Sequence, residues 1–183
     1  QYIYPDDPSI MSGDFGEIFS FLVVVENFTN KGFVLFAPRK WRWKDDRNRA
    51  ALGSDAVLFH IADNKKPSNK DFVVSIESKM KSVKSNEHRI QTAVDHAAKD
   101  KLSRLAKSIN WLEEKHARNG SEVERKKIER FKDPSTYGTF AKYHKAIAIV
   151  DKSFETSEIT PTINNPNGVT AIIFSIENLK NLY

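Results

Sequence analysis

Cysteine is absent from the 183 residues, which excludes disulfides, thiolate metal sites and a cysteine nucleophile. Any metal this chain holds must therefore bind through oxygen or imidazole. Glycine occurs only seven times, too few for elaborate phosphate loops, and no Gly-x-Ser-x-Gly elbow, Walker loop or dinucleotide fingerprint is present. The sequence thus argues against serine hydrolases and nucleotide hydrolases. The five histidines show no zinc-type spacing, and each reads as structural or solvated. The longest apolar run, Ile18 to Phe28, is interrupted by Ser20, Glu26 and Asn27, so neither a membrane span nor a signal peptide is expected. Internal repeats and low-complexity tracts are missing too.

What is present fits one globular domain over residues 1–183: 39% hydrophobic and 29% charged residues at a length able to bury a core. The chain starts at Gln1 rather than methionine, which suggests a fragment lacking upstream residues. A net charge of +5 favours a polyanionic partner.

The informative stretch is Gly53 to Lys79. Two short runs rich in β-branched and aromatic residues, Ala56 to Ile61 and Phe72 to Ile76, flank a polar turn and read as a hairpin. Asp55 opens the first strand, and Glu77-Ser78-Lys79 closes the second. Alternation along a strand puts Glu77 and Lys79 on one face and Ile76 and Ser78 on the other. Two carboxylates brought together repel, and a divalent cation relieves the repulsion by accepting oxygens from both. An acid followed by Glu-x-Lys is thus the minimum set for magnesium-assisted phosphodiester hydrolysis. The same pair also reads as an ordinary same-face salt bridge on a solvated strand.

The other elements follow in order. A helix is expected from Ser12, N-capped by Asp14 and ended near Asn30 and Gly32. Within it Glu17 either closes a capping box with Asp14 or leans toward Asp55 as a third carboxylate. The segment from Arg39 to Arg49 is basic, with Trp41 and Trp43 interleaved. In an extended chain the tryptophans would share a face opposite Lys40, Arg42 and Lys44. That pattern suits a nucleic-acid backbone, while a solvated strand edge over core-packed tryptophans is the plainer reading. Apolar residues from Ile90 to Leu112 predict one long helix to about Arg118, with Lys99, Lys101, Arg104 and Lys107 on a solvated face. A capping box at Ser121 to Glu124, strands at 145–150 and 169–176, and a tail able to begin a helix complete the chain.

Helix with Glu17, strand, Asp55 strand, Glu77-Ser78-Lys79 strand, long helix, strand: this order resembles the PD-(D/E)xK nuclease superfamily. The strings Gly13-Asp14-Phe15-Gly16-Glu17, Lys40-Trp41-Arg42, Gly53-Ser54-Asp55-Ala56-Val57 and Glu77-Ser78-Lys79 are similar to the HamA-like nuclease subunit of Hachiman anti-phage defence. Ser54 stands where the superfamily pattern has proline.

The resemblance implies an α/β fold with a restriction-endonuclease-like core, a mixed central β-sheet flanked by helices. It further implies a bacterial, cytoplasmic DNA nuclease partnered by a superfamily 2 helicase. Carried over, Asp55, Glu77, the backbone carbonyl of Ser78 and Glu17 would hold Mg2+ or Mn2+, with Lys79 completing the catalytic set of Glu17, Asp55 and Glu77. Arg39, Lys40, Arg42, Lys44, Lys81 and Lys84 are the expected phosphate contacts. A non-catalytic nucleic-acid-binding or helicase-regulating module on the same fold is the alternative.

Overall fold

The computed structural model describes residues 5, 7–44, 46, 53–165 and 168–183. The fold is α/β: a five-stranded mixed sheet flanked by helices, with the architecture of a restriction-endonuclease-like core. The strands are β1 (Leu35–Phe36), β2 (Ala56–His60), β3 (Phe72–Lys81), β4 (Ala141–Asp151) and β5 (Val169–Ile176), in spatial order β1-β2-β3-β4-β5. The first three pair antiparallel, with Ala56 opposite Ile76, and the last three pair parallel.

The helix α1 (Pro8–Asn30) covers one face of the sheet. The other face carries α2 (Arg89–Lys99), α3 (Leu105–Arg118) and α4 (Glu122–Glu129). The short helices α5 (Pro134–Tyr137) and α6 (Glu155–Ile159) lie in the connections on either side of β4. Strand alternation divides the core as the sequence pattern requires. Phe72, Val74 and Ile76 pack with Phe21, Val24 and Phe28 of α1, whereas Val57, Phe59 and Val73 pack with Leu105, Ile109 and Leu112 of α3.

Several boundaries differ from expectation. The helix α1 begins at Pro8, not Ser12, because Asp7 caps it by accepting from the Ser9 amide at 2.7 Å and proline suits the first turn. Asp14 is therefore interior, and the capping-box reading of Glu17 falls away. This helix is long and apolar enough by composition to cross a membrane, unlike the interrupted run expected, but Phe21, Val24 and Phe28 are buried against the sheet.

The basic segment is not extended: Lys40–Trp43 form a 3-10 turn. Trp41 consequently packs on Phe21 in the α1 layer and Trp43 near Trp111 in the α3 layer, instead of sharing one face. Arg47 and Arg49 lie outside the described residues. The single long helix after β3 is split by a π turn, Asp100–Arg104. Ser121 occupies the α4 cap position without a side-chain cap bond. The strand expected at 145–150 extends over Ala141–Asp151, and the tail is a 3-10 turn at Leu179–Leu182.

Candidate active site

Pairing between β2 and β3 stops at Ala56 and Ile76, but β3 runs on to Lys81. The two strands part there, and Asp55 takes the next step of the ladder with its side chain: Oδ2 accepts the Ser78 amide at 2.7 Å. This bond fixes the carboxylate at the mouth of a cleft of about 640 Å³ between the start of α1, the end of β3 and the C-terminal turn. Glu17, Asp55, Ser78 and Lys79 all line it.

Close approach of α1 to β3 brings Glu17 there. Gly16 packs so tightly that a Cβ would lie 2.9 Å from Met80 Cγ and 3.1 Å from Ser78 Oγ, and Ser20 donates to Ser78 Oγ at 2.9 Å. A glycine and a serine on one helix face thus let an acid reach the strand end.

The electrostatics of this side are unbalanced. Burial pushes the Glu17 carboxyl up to about 8, and the neighbouring Asp55 charge adds to it against partial relief from Lys44 and Lys40. Asp55 is pushed up to about 7 by burial first and Glu77 second, offset by Lys79, the Ser78 amide and Lys40. Glu17 Oε2 is buried with no hydrogen-bond partner among the described residues.

Glu77 is different. Its carboxylate is 1% exposed and sits on the opposite face of β3, as alternation requires. Oε1 accepts from Lys79 Nζ at 2.6 Å and lies 3.0 Å from His96 Nδ1; Oε2 accepts from Arg104 at 3.1 Å. Lys79 also donates to the Ser78 carbonyl at 3.1 Å, placing one amine between the two halves of the centre.

Of the expected phosphate contacts, Arg39, Arg42 and Lys84 are exposed. The other three are internal. Lys40 is 0% exposed and donates to the Ser54 carbonyl, Lys44 pairs with Asp14, and Lys81 is held at 2.9 Å by the buried Glu158. Lys40 and Lys44 were expected on a basic edge and Lys81 as a phosphate contact; the 3-10 turn draws Lys40 inward, and the partner carboxylate of Lys81 lies far off in sequence.

Sequence reasoning also missed His96, Asp100 and Arg104. Their spacing of four puts them along one helical stripe beside the apolar one, a signal obscured by assigning Arg104 to the solvated face.

The donors on the cleft side are carboxylates and a carbonyl, the chemistry of a hard divalent cation. The unpartnered Glu17 oxygen and the mutual repulsion of Glu17 and Asp55 fit such an ion, although among the described residues three such ligands are not preassembled around one point.

An α/β core with acids at the split end of a β-hairpin and an adjacent lysine defines the class of site. The HamA family profile matches residues 1–182, and the chain belongs to the HamA family, a component of Hachiman anti-phage defence. Membership of that system implies a partner protein. No curated protein matches the chain.

Proposed function

We propose that this protein is a metal-dependent DNA nuclease, the effector of its defence system, working in the bacterial cytoplasm with a superfamily 2 helicase. The observation that carries the reading is a buried, unpartnered Glu17 oxygen on an acid that lines the same cleft as, and is electrostatically raised by, a second under-neutralised acid, Asp55. Two acids buried together with too few cations are destabilising once ionised, and their retention argues for a ligand. Glu17, Asp55 and the Ser78 carbonyl would hold Mg2+ or Mn2+, with Glu77 joining from the other face of β3. When bound, such an ion polarises a phosphate and lowers the pKa of an attacking water.

The chain's own groups supply the rest. Lys79 presents an ammonium beside the acids, where it would balance charge building on the phosphoryl oxygens in the transition state. Asp55 is oriented by the Ser78 amide, so its free oxygen keeps a fixed aim. Arg39, Arg42 and Lys84, all exposed, would contact the phosphate backbone.

One observation favours the second reading, a non-catalytic nucleic-acid-binding or helicase-regulating module: Glu77 is already paired with Lys79 and Arg104 and contacted by His96. Incubating linear and supercoiled DNA with Mg2+, Mn2+ or EDTA, with the protein alone and co-purified with its partner, separates the two. Cleavage by the wild type that falls at least ~100-fold in Asp55→Ala and Lys79→Ala, with circular dichroism unchanged, supports the nuclease. DNA binding without cleavage in every metal and both preparations supports the module.

A further inference from the structure

Glu77 is held by groups that bind it with unequal permanence. His96 meets Glu77 through a single ring nitrogen at 3.0 Å, and Lys79 divides its donors between Glu77 and the Ser78 carbonyl. Arginine keeps its charge at every working pH, so only displacement frees its partner.

Arg104 is also the most tied of the three. One terminal nitrogen donates to both Glu77 Oε2 at 3.1 Å and the Gly53 carbonyl at 2.6 Å, and Nε lies 3.3 Å from Asp100 Oδ1. The guanidinium thus joins the β2 mouth, the end of β3 and the helical layer. Its placement depends on the π turn Asp100–Arg104, where the Leu105 amide donates to the Asp100 carbonyl. That irregularity carries Asp100 to 1% exposure and turns Arg104 away from the solvated face expected of it. Interruptions of this kind in a long helix concentrate at functional positions.

We propose that Arg104 is a resident counter-ion of Glu77 that sets the metal affinity of the acid centre, a divalent cation recruiting Glu77 only by taking it from the guanidinium. The inference rests on the nuclease reading. Displacement leaves Arg104 with Gly53 and Asp100 as partners, so it has somewhere to stay. Lys79 continues to pair with Glu77 at 2.6 Å, and His96 to contact it, when Arg104 is replaced, which keeps the buried acid tolerable in a neutral variant. Arg104 is thereby a positioning residue, acting through Glu77 without touching the substrate.

The test is calorimetric titration of the full chain with Mn2+ alone, for wild type, Arg104→Met, Arg104→Lys and the double variant Arg104→Met/Glu77→Gln. Arg104→Met should bind Mn2+ at least ~10-fold more tightly, because a competing cation is gone; Arg104→Lys, which retains the charge, should stay within about threefold of wild type. The gain should vanish in the double variant. Should Arg104→Met fail to fold, Arg104→Gln keeps a donor for the Gly53 carbonyl and carries the same expectation. Unchanged or weaker binding in a folded neutral variant overturns the counter-ion role and leaves the metal site standing. Absence of Mn2+ binding in all variants, wild type included, overturns the nuclease reading itself and this inference with it.

Discussion

Two clusters of buried charge sit a few residues apart on β3, and they are built to opposite rules. Lys81 Nζ donates to Glu158 Oε1 at 2.9 Å and to the Glu87 carbonyl at 3.2 Å; Glu158 Oε2 accepts the Ile90 amide at 3.1 Å. Every charge there has a partner, and the knot ties α6 to β3 and the start of α2. Glu17 and Asp55, by contrast, are left short of compensation at the cleft, one oxygen having no partner at all among the described residues. A buried pair that is complete holds the fold together; one that is incomplete stores a preference for a cation. Lys79 and Lys81 share a strand face and differ only in which of these clusters claims them.

Breaking the complete cluster should have the largest effect. Glu158→Ala leaves the Lys81 ammonium buried and strips the Ile90 amide of its acceptor, a loss of about 3–5 kcal/mol of stability by urea denaturation. Replacing both partners together, Lys81→Met with Glu158→Leu, should recover much of that loss, since no uncompensated charge remains.

The incomplete cluster should respond in the other direction. Glu17 and Asp55 have folded pKa values of about 8 and about 7, above the ordinary 4.5 and 3.8, so the native state binds more protons than the unfolded state between these limits. Their contribution to stability is complete below the ordinary carboxyl range and is lost as pH rises through about 7 to 8. Urea denaturation of metal-free protein should show stability falling by several kcal/mol from pH 5 to pH 9, at about 1.4 kcal/mol for each unit of raised pKa crossed. In Glu17→Gln the fall should shrink by about half or more, leaving that variant more stable than wild type at pH 9. An equal fall in both would remove Glu17 from the account.

The smallest stability effect belongs to the exposed cations. Arg39→Ala, Arg42→Ala and Lys84→Ala should each change stability by less than about 0.5 kcal/mol. Each that touches phosphate should lower the slope of log affinity for DNA against log salt by about 1, read by fluorescence anisotropy. Lys81→Ala should instead act through stability, which distinguishes the surface cations from the internal ones.

The sequence disclosed the skeleton of the site because a strand hairpin and an Asp, Glu-x-Lys pattern are local. Alternation alone separated Ile76 and Ser78 from Glu77 and Lys79, and packing places them on those faces. The last strand was legible over 169–176 because a run rich in β-branched residues sits after turn residues. What escaped notice is long-range. Lys40 looks like a surface cation until the Ser54 carbonyl comes beside it, and the partner of Lys81 lies 77 residues away. The π turn has no composition of its own, so Arg104 reads as one of several solvated charges. The cap at Asp7 was missed because Asp14 offers the same chemistry nearer the apolar run.

The central claim, that Glu17 and Asp55 await a divalent cation, is tested most directly by counting protons. Calorimetric titration with Mn2+ at pH 7, repeated in buffers of different ionisation enthalpy, should show about one to one and a half protons released per ion bound, because Glu17 and part of Asp55 must ionise to serve as ligands. Release should fall toward zero at pH 9 and shrink in Glu17→Gln to the smaller share that Asp55 supplies. Binding of Mn2+ with the same buffer-independent heat at both pH values, or with undiminished proton release in Glu17→Gln, would contradict the account.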